Sequence, residues 1–212
     1  MKRAKNKSIK SGFFLTLEGI DGVGKSTLFK KLNDYFIDQG YSPVLSREPG
    51  GTLLGEKLRR LLAQTPMQPW SEVFLLEASR TENTIENILP ALNQKKLVIC
   101  DRFTDSTIAY QVYGKKVNPR FIANIQKFIL KGLSPNITFI LKVSPKAARI
   151  RLKKRRIKNR YDNFSQSFYT KAQNSFLKIA KNKKNYFILD SSSNDGVLEK
   201  KIFNIVKKYL NI

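Results

Sequence analysis

The 212-residue sequence contains no histidine and only one cysteine, Cys100. Without histidine the chain cannot build a Ser-His or Cys-His catalytic pair, and a catalytic metal centre is disfavoured because imidazole is the commonest metal ligand. A single cysteine cannot form an intrachain disulfide, and Cys100 lies inside the apolar run 97–100. A disulfide-bonded scaffold is therefore excluded, and a cytoplasmic location is predicted.

Long apolar runs are also missing. No segment is long enough to cross a membrane, and the basic residues 1–10 are not followed by the apolar stretch of a signal peptide. We therefore predict no membrane partner. Residues 1–11 are interpreted as a flexible basic extension, and 12–212 as a single domain, because this length suits one hydrophobic core.

Acidic residues are few, with 16 Asp and Glu against 40 Lys and Arg and a net charge of +24. Such a charge is typical of proteins that bind nucleic acids. The lysines are scattered, however, and no motif that reads RNA or DNA accompanies them. Compositional bias is favoured over a specific nucleic-acid partner.

Five short apolar runs alternate with longer segments of helical periodicity. They span 13–18, 44–46, 97–100, 137–143 and 186–189. The alternation predicts an α/β fold with a five-stranded parallel sheet and helices on both faces. Because ligands bind beyond the carboxyl ends of such strands, the residues that follow each run are the candidate site residues.

A glycine-rich segment follows the first run and fits G-x-x-x-x-G-K-[ST] at every specified position. The run 13–18 precedes it, and the spacing of apolar residues over 28–36 predicts a helix after it. Lys25 would reach the β- and γ-phosphates of a nucleotide and Ser26 would hold Mg²⁺. The residues predicted to bind the phosphates are Gly19, Ile20, Asp21, Gly22, Val23, Gly24, Lys25, Ser26 and Thr27.

Two charged residues, Asp101 and Arg102, follow the third apolar run. A carboxylate at the end of a strand is where a P-loop protein holds Mg²⁺ or its water shell. The structural alternative for Asp101 is a helix N-cap. The guanidinium of Arg102 suits bidentate phosphate binding.

The segment 149–160 contains eight Lys and Arg among twelve residues. Three interpretations compete. The cluster could be a solvated helical face, an RNA-binding patch, or a mobile lid whose arginines close over a phosphoryl group in transfer.

Four further segments, together with the loop 19–27, carry a family resemblance. They are 47–52 (Arg-Glu-Pro-Gly-Gly-Thr), 77–80 (Glu-Ala-Ser-Arg), 101–111 (Asp-Arg-Phe-Thr-Asp-Ser-Thr-Ile-Ala-Tyr-Gln) and 159–162 (Asn-Arg-Tyr-Asp). From about residue 13 onward the chain resembles the bacterial thymidylate kinases, which phosphorylate dTMP with ATP. The resemblance implies a P-loop nucleoside monophosphate kinase fold, a short arginine-bearing lid over about 153–163, ATP and Mg²⁺ as cofactors, and a homodimer.

The resemblance also implies an acceptor site. The base would lie against Arg80, Thr107 and Gln111, and Tyr110 would lie beneath the sugar and crowd a 2′-hydroxyl. Leu76 stands where the family usually has an aromatic residue that stacks on thymine. The implied dTMP-binding residues are Arg47, Glu48, Arg59, Leu76, Arg80, Arg102, Thr107, Tyr110 and Gln111.

Gly22 stands where some relatives carry a catalytic arginine inside the phosphate loop, so the lid must supply that charge here. Mg²⁺ would be held with the nucleotide by Ser26 and Asp101. The implied catalytic residues are Lys25, Arg102, Arg156, Arg160 and Asp21.

Three alternative functions are considered. The chain could phosphorylate another nucleoside monophosphate or a deoxynucleoside. It could be a guanine-nucleotide switch, although the nearest match to the Asn-Lys-x-Asp motif, Asn182-Lys183-Lys184-Asn185, lacks the carboxylate. It could be a basic RNA-binding protein, which would bind RNA with a steep salt dependence.

Overall fold

A computed structural model describes residues 7, 9–154, 160–192 and 196–210. These residues form one five-stranded, all-parallel sheet in the order β2-β3-β1-β4-β5. The strands are β1 (Phe13–Glu18), β2 (Val44–Arg47), β3 (Leu97–Asp101), β4 (Ile137–Lys142) and β5 (Tyr186–Asp190). The predicted strands are confirmed, with ends that differ from the prediction by no more than one residue.

Helices connect the strands, as parallel crossovers require. They are α1 (Lys25–Asp38), α2 (Leu53–Gln64), α3 (Pro69–Asn83), α4 (Leu89–Asn93), α5 (Thr104–Thr107), α6 (Pro119–Leu130), α7 (Pro145–Lys153), α8 (Gln166–Ala180) and α9 (Val197–Leu210). π-Helical segments cover Thr84–Ile88 and Ile108–Gly114, and a 3-10 turn covers Arg160–Asn163. Within the described residues, no helix has the length and apolarity to span a bilayer.

The central strand β1 is buried along its whole length because helices cover both faces of the sheet. Leu15 and Leu17 face a large apolar cluster that includes residues of α1, α8 and α9. Phe14 faces a second cluster on the opposite side, together with Val98 of β3 and Leu130 of α6. The predicted arrangement of helices on both faces is confirmed.

The packed part of the chain begins before residue 12. Ile9 is buried in the main core, and the N–H of Lys7 donates to the carbonyl of Gly40 at 2.7 Å. The predicted extension 1–11 therefore includes residues that join the domain, because Ile9 has apolar surface to bury. Residues 1–6 and 8, and the predicted lid residues 155–159, lie outside the described residues.

The strand order places a crevice at the carboxyl edge of the sheet between β1 and β3. The chain leaves β1 toward β2 on one side, whereas it leaves β3 toward β4 on the other. Ligands bind in α/β sheets at such a reversal. The glycine-rich loop and Arg102 both begin at this crevice.

Candidate active site

The glycine-rich loop between β1 and α1 is shaped by positions that only glycine tolerates well. Gly22 has φ 78° and Gly24, the N-cap of α1, has φ 102°, both in the left-handed region. A Cβ on Gly22 would lie 2.4 Å from the carbonyl oxygen of Ala148 and 2.9 Å from Leu152 Cγ. Helix α7 thus packs directly on the loop, and an arginine at position 22 would not fit this arrangement.

Lys25 lies beneath the loop and is buried. Its Nζ donates to the carbonyl oxygens of Gly19 and Ile20 at 2.8 and 2.9 Å. Burial, followed by the charge of Arg102, lowers the pKa of Lys25 to about 8. The Lys25 ammonium therefore has only neutral carbonyl groups as hydrogen-bond partners in these two bonds. A bound phosphate chain would offer it a full negative charge in their place.

Asp21 joins the loop to two neighbouring side chains. Its Oδ1 pairs with Arg102 at 2.7 Å, and its Oδ2 accepts from the Tyr110 hydroxyl at 2.9 Å. Burial acts to raise the pKa of Asp21, but the charges of Arg102 and Lys25 outweigh it and lower the pKa to about 2. Asp21 is an anion at any physiological pH.

Arg102 adopts a strained backbone conformation, with φ 74° at a residue that is not glycine. Its NH1 donates to the Gly19 carbonyl at 3.0 Å and to Ser106 Oγ at 2.9 Å. Its guanidinium carbon lies 5.3 Å from the centre of the Tyr110 ring. The strain is maintained by these contacts, and it orients the guanidinium between the loop and the crevice.

Asp101 ends β3, as the sequence indicates. Its Oδ1 is buried and has no hydrogen-bond partner within the described residues. The N-cap of α5 is Phe103, so the N-cap interpretation of Asp101 is wrong. Asp101 therefore presents a free acceptor beside the loop, which is what a cation or its water shell requires.

A cavity of about 310 Å³ opens beside Asp21 at the carboxyl edge of the sheet. It is lined by eight of the nine residues that the resemblance assigns to dTMP. These are Glu48, Arg59, Leu76, Arg80, Arg102, Thr107, Tyr110 and Gln111.

Arg80 of α3 is the most constrained side chain of this cavity. It is buried, and its Nε and NH1 pair with Glu48 at 2.7 Å and Glu77 at 2.6 Å. Its NH2 donates to Thr107 Oγ1 at 3.0 Å. Buried charges require such pairing, and here the pairs hold the guanidinium in one orientation at the cavity wall.

Leu76 contributes to the cavity wall, whereas Phe74 does not. Phe74 is 55% exposed on α3 and makes an edge contact with Phe121 at a centroid distance of 6.0 Å. The two positions lie about 200° apart around the helix. The cavity therefore has an aliphatic surface where the family has an aromatic ring, and Phe74 does not replace that ring.

Arg47, the ninth residue assigned to dTMP, and the predicted lid residue Arg160 do not line the cavity. Arg47 is half-exposed and forms a bidentate pair with Glu56 at 2.9 and 2.7 Å. Arg160, at the start of the 3-10 turn, pairs with Glu72 at 2.6 Å and donates to the Leu62 carbonyl. Arg156 lies outside the described residues.

Sequence reasoning missed several lining residues. Tyr161, adjacent to Arg160 in the segment 159–162, lines the cavity. The sequence did not indicate that this segment lies next to the cavity. The end of α2 carried no motif that could have indicated its role. The other missed lining residues are Pro49, Arg60, Leu62, Ala63, Gln64, Phe103 and Ser106.

A second cavity of about 210 Å³ lies on the other side of the loop, next to Val23 and Thr27. Arg151 of α7 crosses its wall and donates to the carbonyls of Val23 at 3.3 Å and Ser191 at 3.1 Å. The hydroxyl of Ser191 also donates to Val23 at 2.7 Å. The sequence placed Arg151 only within a general basic cluster.

The segment 182–185, the nearest match to a guanine-reading motif, immediately precedes β5. It therefore lies at the amino edge of the parallel sheet, opposite the glycine-rich loop. Its position, together with its missing carboxylate, argues against a guanine-nucleotide switch.

Comparisons with known proteins identify the family of the chain. The family model described as Thymidylate kinase matches residues 17–202. The chain is 35% identical over 198 residues to a thymidylate kinase of Thermosipho melanesiensis, covering 93% of this chain and 99% of the relative. It is 39% identical over 200 residues to one of Prochlorococcus marinus strain AS9601, covering 90% and 93%. A crystal structure of thymidylate kinase from Ehrlichia chaffeensis superposes with a TM-score of 0.76 at 32% identity, covering 92% of this chain and 99% of that one. The chain belongs to the thymidylate kinase family.

Proposed function

We propose that the protein transfers the γ-phosphoryl group of ATP to dTMP, giving ADP and dTDP for dTTP synthesis. The observation that carries this proposal is the position of the Arg80, Thr107 and Gln111 group, which lines a cavity that opens directly beside the phosphate loop. Donor phosphates and a pyrimidine acceptor would thus meet at Asp21 and Arg102. The family as a whole uses ATP as the phosphate donor.

The chemistry follows from positioning and charge. The phosphate of a monoester loses its second proton near pH 6, so the attacking oxygen of dTMP is anionic and needs no general base. The barrier is the repulsion between two anions. We assign its neutralisation to Lys25, Arg102 and the lid arginines Arg156 and Arg160, with Asp21 ordering Arg102. Arg160 would exchange Glu72 for the phosphoryl group as the lid closes.

Mg²⁺ fits the residues present. The unpartnered Oδ1 of Asp101 and the hydroxyl of Ser26, in the first turn of α1, flank the loop. Within the described residues no group of three or more His, Cys, Asp or Glu side chains could hold a metal alone, which suits an ion carried by the nucleotide. When bound, the ion would neutralise β- and γ-phosphate charge.

The acceptor phosphate would lie near Arg59 and Arg102, which both face the cavity. Arg59 donates to the carbonyl of Pro49 at 2.8 Å, which fixes its approach. Glu48 would act indirectly by holding Arg80, and Arg47 by holding Glu56, whose negative charge favours the charged form of Arg59. The second cavity, beside Arg151, has the position expected for the donor base.

We propose that the protein assembles as a homodimer through an exposed aromatic surface formed by α3 and α6. Trp70 and Phe74 both contact Phe121 edge to face, and Phe128 is 80% exposed. An exposed apolar patch of this kind is typical of a protein interface. Light scattering should show a dimer that Phe74→Glu dissociates. Ile150→Glu, at a 49% exposed apolar residue of α7, should leave it intact.

We attribute the net charge of +24 to compositional bias and not to a specific nucleic-acid partner. We assign the protein to the cytoplasm. Filter binding against RNA tests the first statement. Binding that is tight at physiological salt and independent of Lys25 would instead favour the RNA-binding alternative.

The deciding experiment is an ADP-release assay with dTMP, dUMP, dCMP, UMP and thymidine as acceptors. We expect the highest kcat/KM with dTMP, because Arg80 and Gln111 match the hydrogen-bonding edge of thymine. A clear preference for another acceptor would establish the alternative kinase activity. ATP turnover that no acceptor stimulates would overturn the proposal.

A further inference from the structure

Glu72, in the first turn of α3, is a buried carboxylate to which the proposed mechanism gives no part beyond holding Arg160 before the lid closes. It is fully buried and lies behind the acceptor cavity, whose lining it does not join. Its hydrogen-bonding neighbours come from two other elements. They are Gln111 and Lys115 at the π-helical segment 108–114, and Arg160 and Tyr161 at the 3-10 turn.

The two oxygens of Glu72 have different partners. Oε1 accepts from Gln111 Nε2 at 2.7 Å and from the Tyr161 hydroxyl at 3.2 Å. Oε2 accepts from the two cations, Lys115 Nζ and Arg160 NH2. Burial acts to raise the pKa of Glu72, but Lys115 and Arg160 outweigh it and lower the pKa below its ordinary value.

This arrangement determines the orientation of the Gln111 amide. An ionised carboxylate accepts hydrogen bonds and donates none, so Gln111 must present its NH₂ group to Glu72. The amide oxygen then points away from Glu72. Because Gln111 also lines the acceptor cavity, the cavity is offered a hydrogen-bond acceptor.

The polarity of that group matters for pyrimidines. Thymine and uracil carry a hydrogen on ring N3 and need an acceptor there, whereas N3 of cytosine is itself an acceptor. We propose that Glu72 is a positioning residue that sets the amide polarity of Gln111 and thereby selects acceptors with an N3–H over cytosine nucleotides. This inference rests on the proposed function and names a determinant of its base specificity.

The substitution Glu72→Gln tests the proposal because it should reverse the polarity. Lys115 needs an acceptor whether or not Arg160 has left for the phosphoryl group, so it should retain the amide oxygen of the new side chain at the Oε2 position. Its NH₂ group would then occupy the Oε1 position and donate to the oxygen of Gln111. Gln111 would rotate and turn its own NH₂ group toward the cavity.

We expect kcat/KM for dTMP to fall roughly ten- to a hundredfold in Glu72→Gln, because a site built for a hydrogen bond loses much when the polarity is wrong. The ratio of kcat/KM for dCMP to that for dTMP should rise at least about tenfold. The absolute dCMP activity should stay low, since Arg80 still opposes the 4-amino group of cytosine.

A third acceptor separates polarity from a loosened cavity. Uracil and thymine both carry the N3 hydrogen and differ only at C5, so the dUMP-to-dTMP ratio should remain within about twofold of wild type. If the dUMP and dCMP ratios rise together, the substitution has only enlarged the cavity and the proposal is overturned.

Lys115→Met is the matched control. It removes one cation from Glu72 but leaves the bond between Glu72 and Gln111, so the dCMP-to-dTMP ratio should stay within about twofold of wild type. In a Gln111→Leu background, Glu72→Gln should change the ratio no further. A further change in that background would show that Glu72 acts by another route.

Thermal melting by circular dichroism establishes that each variant is folded. If Glu72→Gln is not folded, Glu72→Asp serves instead, because it keeps the charge for the two cations and withdraws the carboxylate from Gln111. The same direction of change, with a smaller size, is then expected. An inactive wild type would overturn the proposed function, whereas an active wild type with an unmoved ratio in the variants would overturn only the role of Glu72.

Discussion

The donor and acceptor halves of the site are built in different ways. The phosphate loop is one contiguous segment, 19–27, whose shape comes from backbone dihedral angles and from the start of α1. The acceptor cavity takes its side chains from α2, α3, the region after β3 and the 3-10 turn. In the donor half Lys25 donates to two loop carbonyls, whereas in the acceptor half Arg80 is already held by Glu48, Glu77 and Thr107.

This difference has consequences for mutation. Because the donor half is built mainly from backbone groups, its binding of phosphate should depend on one side chain, Lys25. Its shape should depend on the absence of a Cβ atom at a few glycines. An acceptor half made of paired side chains should respond to changes in residues that never touch the substrate, as Glu72 illustrates. The following predictions test that contrast.

The largest effect is expected for Lys25→Ala. It should lower kcat by several hundredfold or more, because no other donor-half side chain can replace a charge that strengthens toward the transition state. Steady-state kinetics at saturating dTMP measures this loss. Lys30→Ala, at an exposed position of the same helix, should have nearly wild-type kinetics. Retention of more than about a tenth of the activity in Lys25→Ala would contradict the P-loop assignment.

The lid arginines come next. Arg156→Ala and Arg160→Ala should each slow single-turnover phosphoryl transfer roughly a hundredfold, as expected for arginines that act in the transition state. The affinity for dTMP should change little in Arg156→Ala. Arg149→Ala, at an exposed residue of α7, is the control and should be close to wild type. Near-normal transfer in both lid variants would leave Arg102 as the main source of charge.

Gly22→Ala tests the backbone character of the donor half. It combines a positive φ, which costs about 1–3 kcal/mol in a non-glycine residue, with the close approach of Ala148. Gly132→Ala has φ 90° but nothing within 4 Å of its Cβ, so it carries the strain alone. Urea unfolding should show an additional loss of about 1–2 kcal/mol for Gly22→Ala relative to Gly132→Ala. Equal losses would show that α7 moves away from the loop without cost.

The smallest effect concerns the sugar. Tyr110→Ala should raise the kcat/KM for the thymine ribonucleotide relative to dTMP by about tenfold, if the ring excludes a 2′-hydroxyl. Tyr110→Phe keeps the ring and removes only the hydroxyl that binds Asp21. It should therefore leave the ratio unchanged while it lowers activity with both acceptors. A ratio that does not move in Tyr110→Ala would place the discrimination elsewhere.

The sequence correctly predicts the strand, loop and helix of the donor half because their determinants are local. The strand, the glycine pattern and the helix spacing of 13–36 lie within one segment, and each follows from short-range rules of backbone conformation. The sequence likewise predicts Asp101 at the end of a strand, because it directly follows the apolar run 97–100. The fold class and all five strands follow from the same periodicity.

Contacts between distant segments could not be read from the sequence. Ile9 enters the core, Arg47 pairs with Glu56, and Arg160 is held at Glu72, although each belongs to a stretch whose composition indicated another role. Tertiary packing decides these contacts, and the two ion pairs join residues that are nine and 88 positions apart in the sequence.

The sequence by itself determined a P-loop kinase fold, and its motifs predicted the phosphate-binding segment and most of the proposed acceptor residues, because these features repeat fixed local spacings. The tertiary structure alone decided the orientation of the amide that we propose reads the base. Gln111 could present either end of its amide, and only the buried carboxylate of Glu72, brought to it from 39 residues away by the packing of α3, selects one.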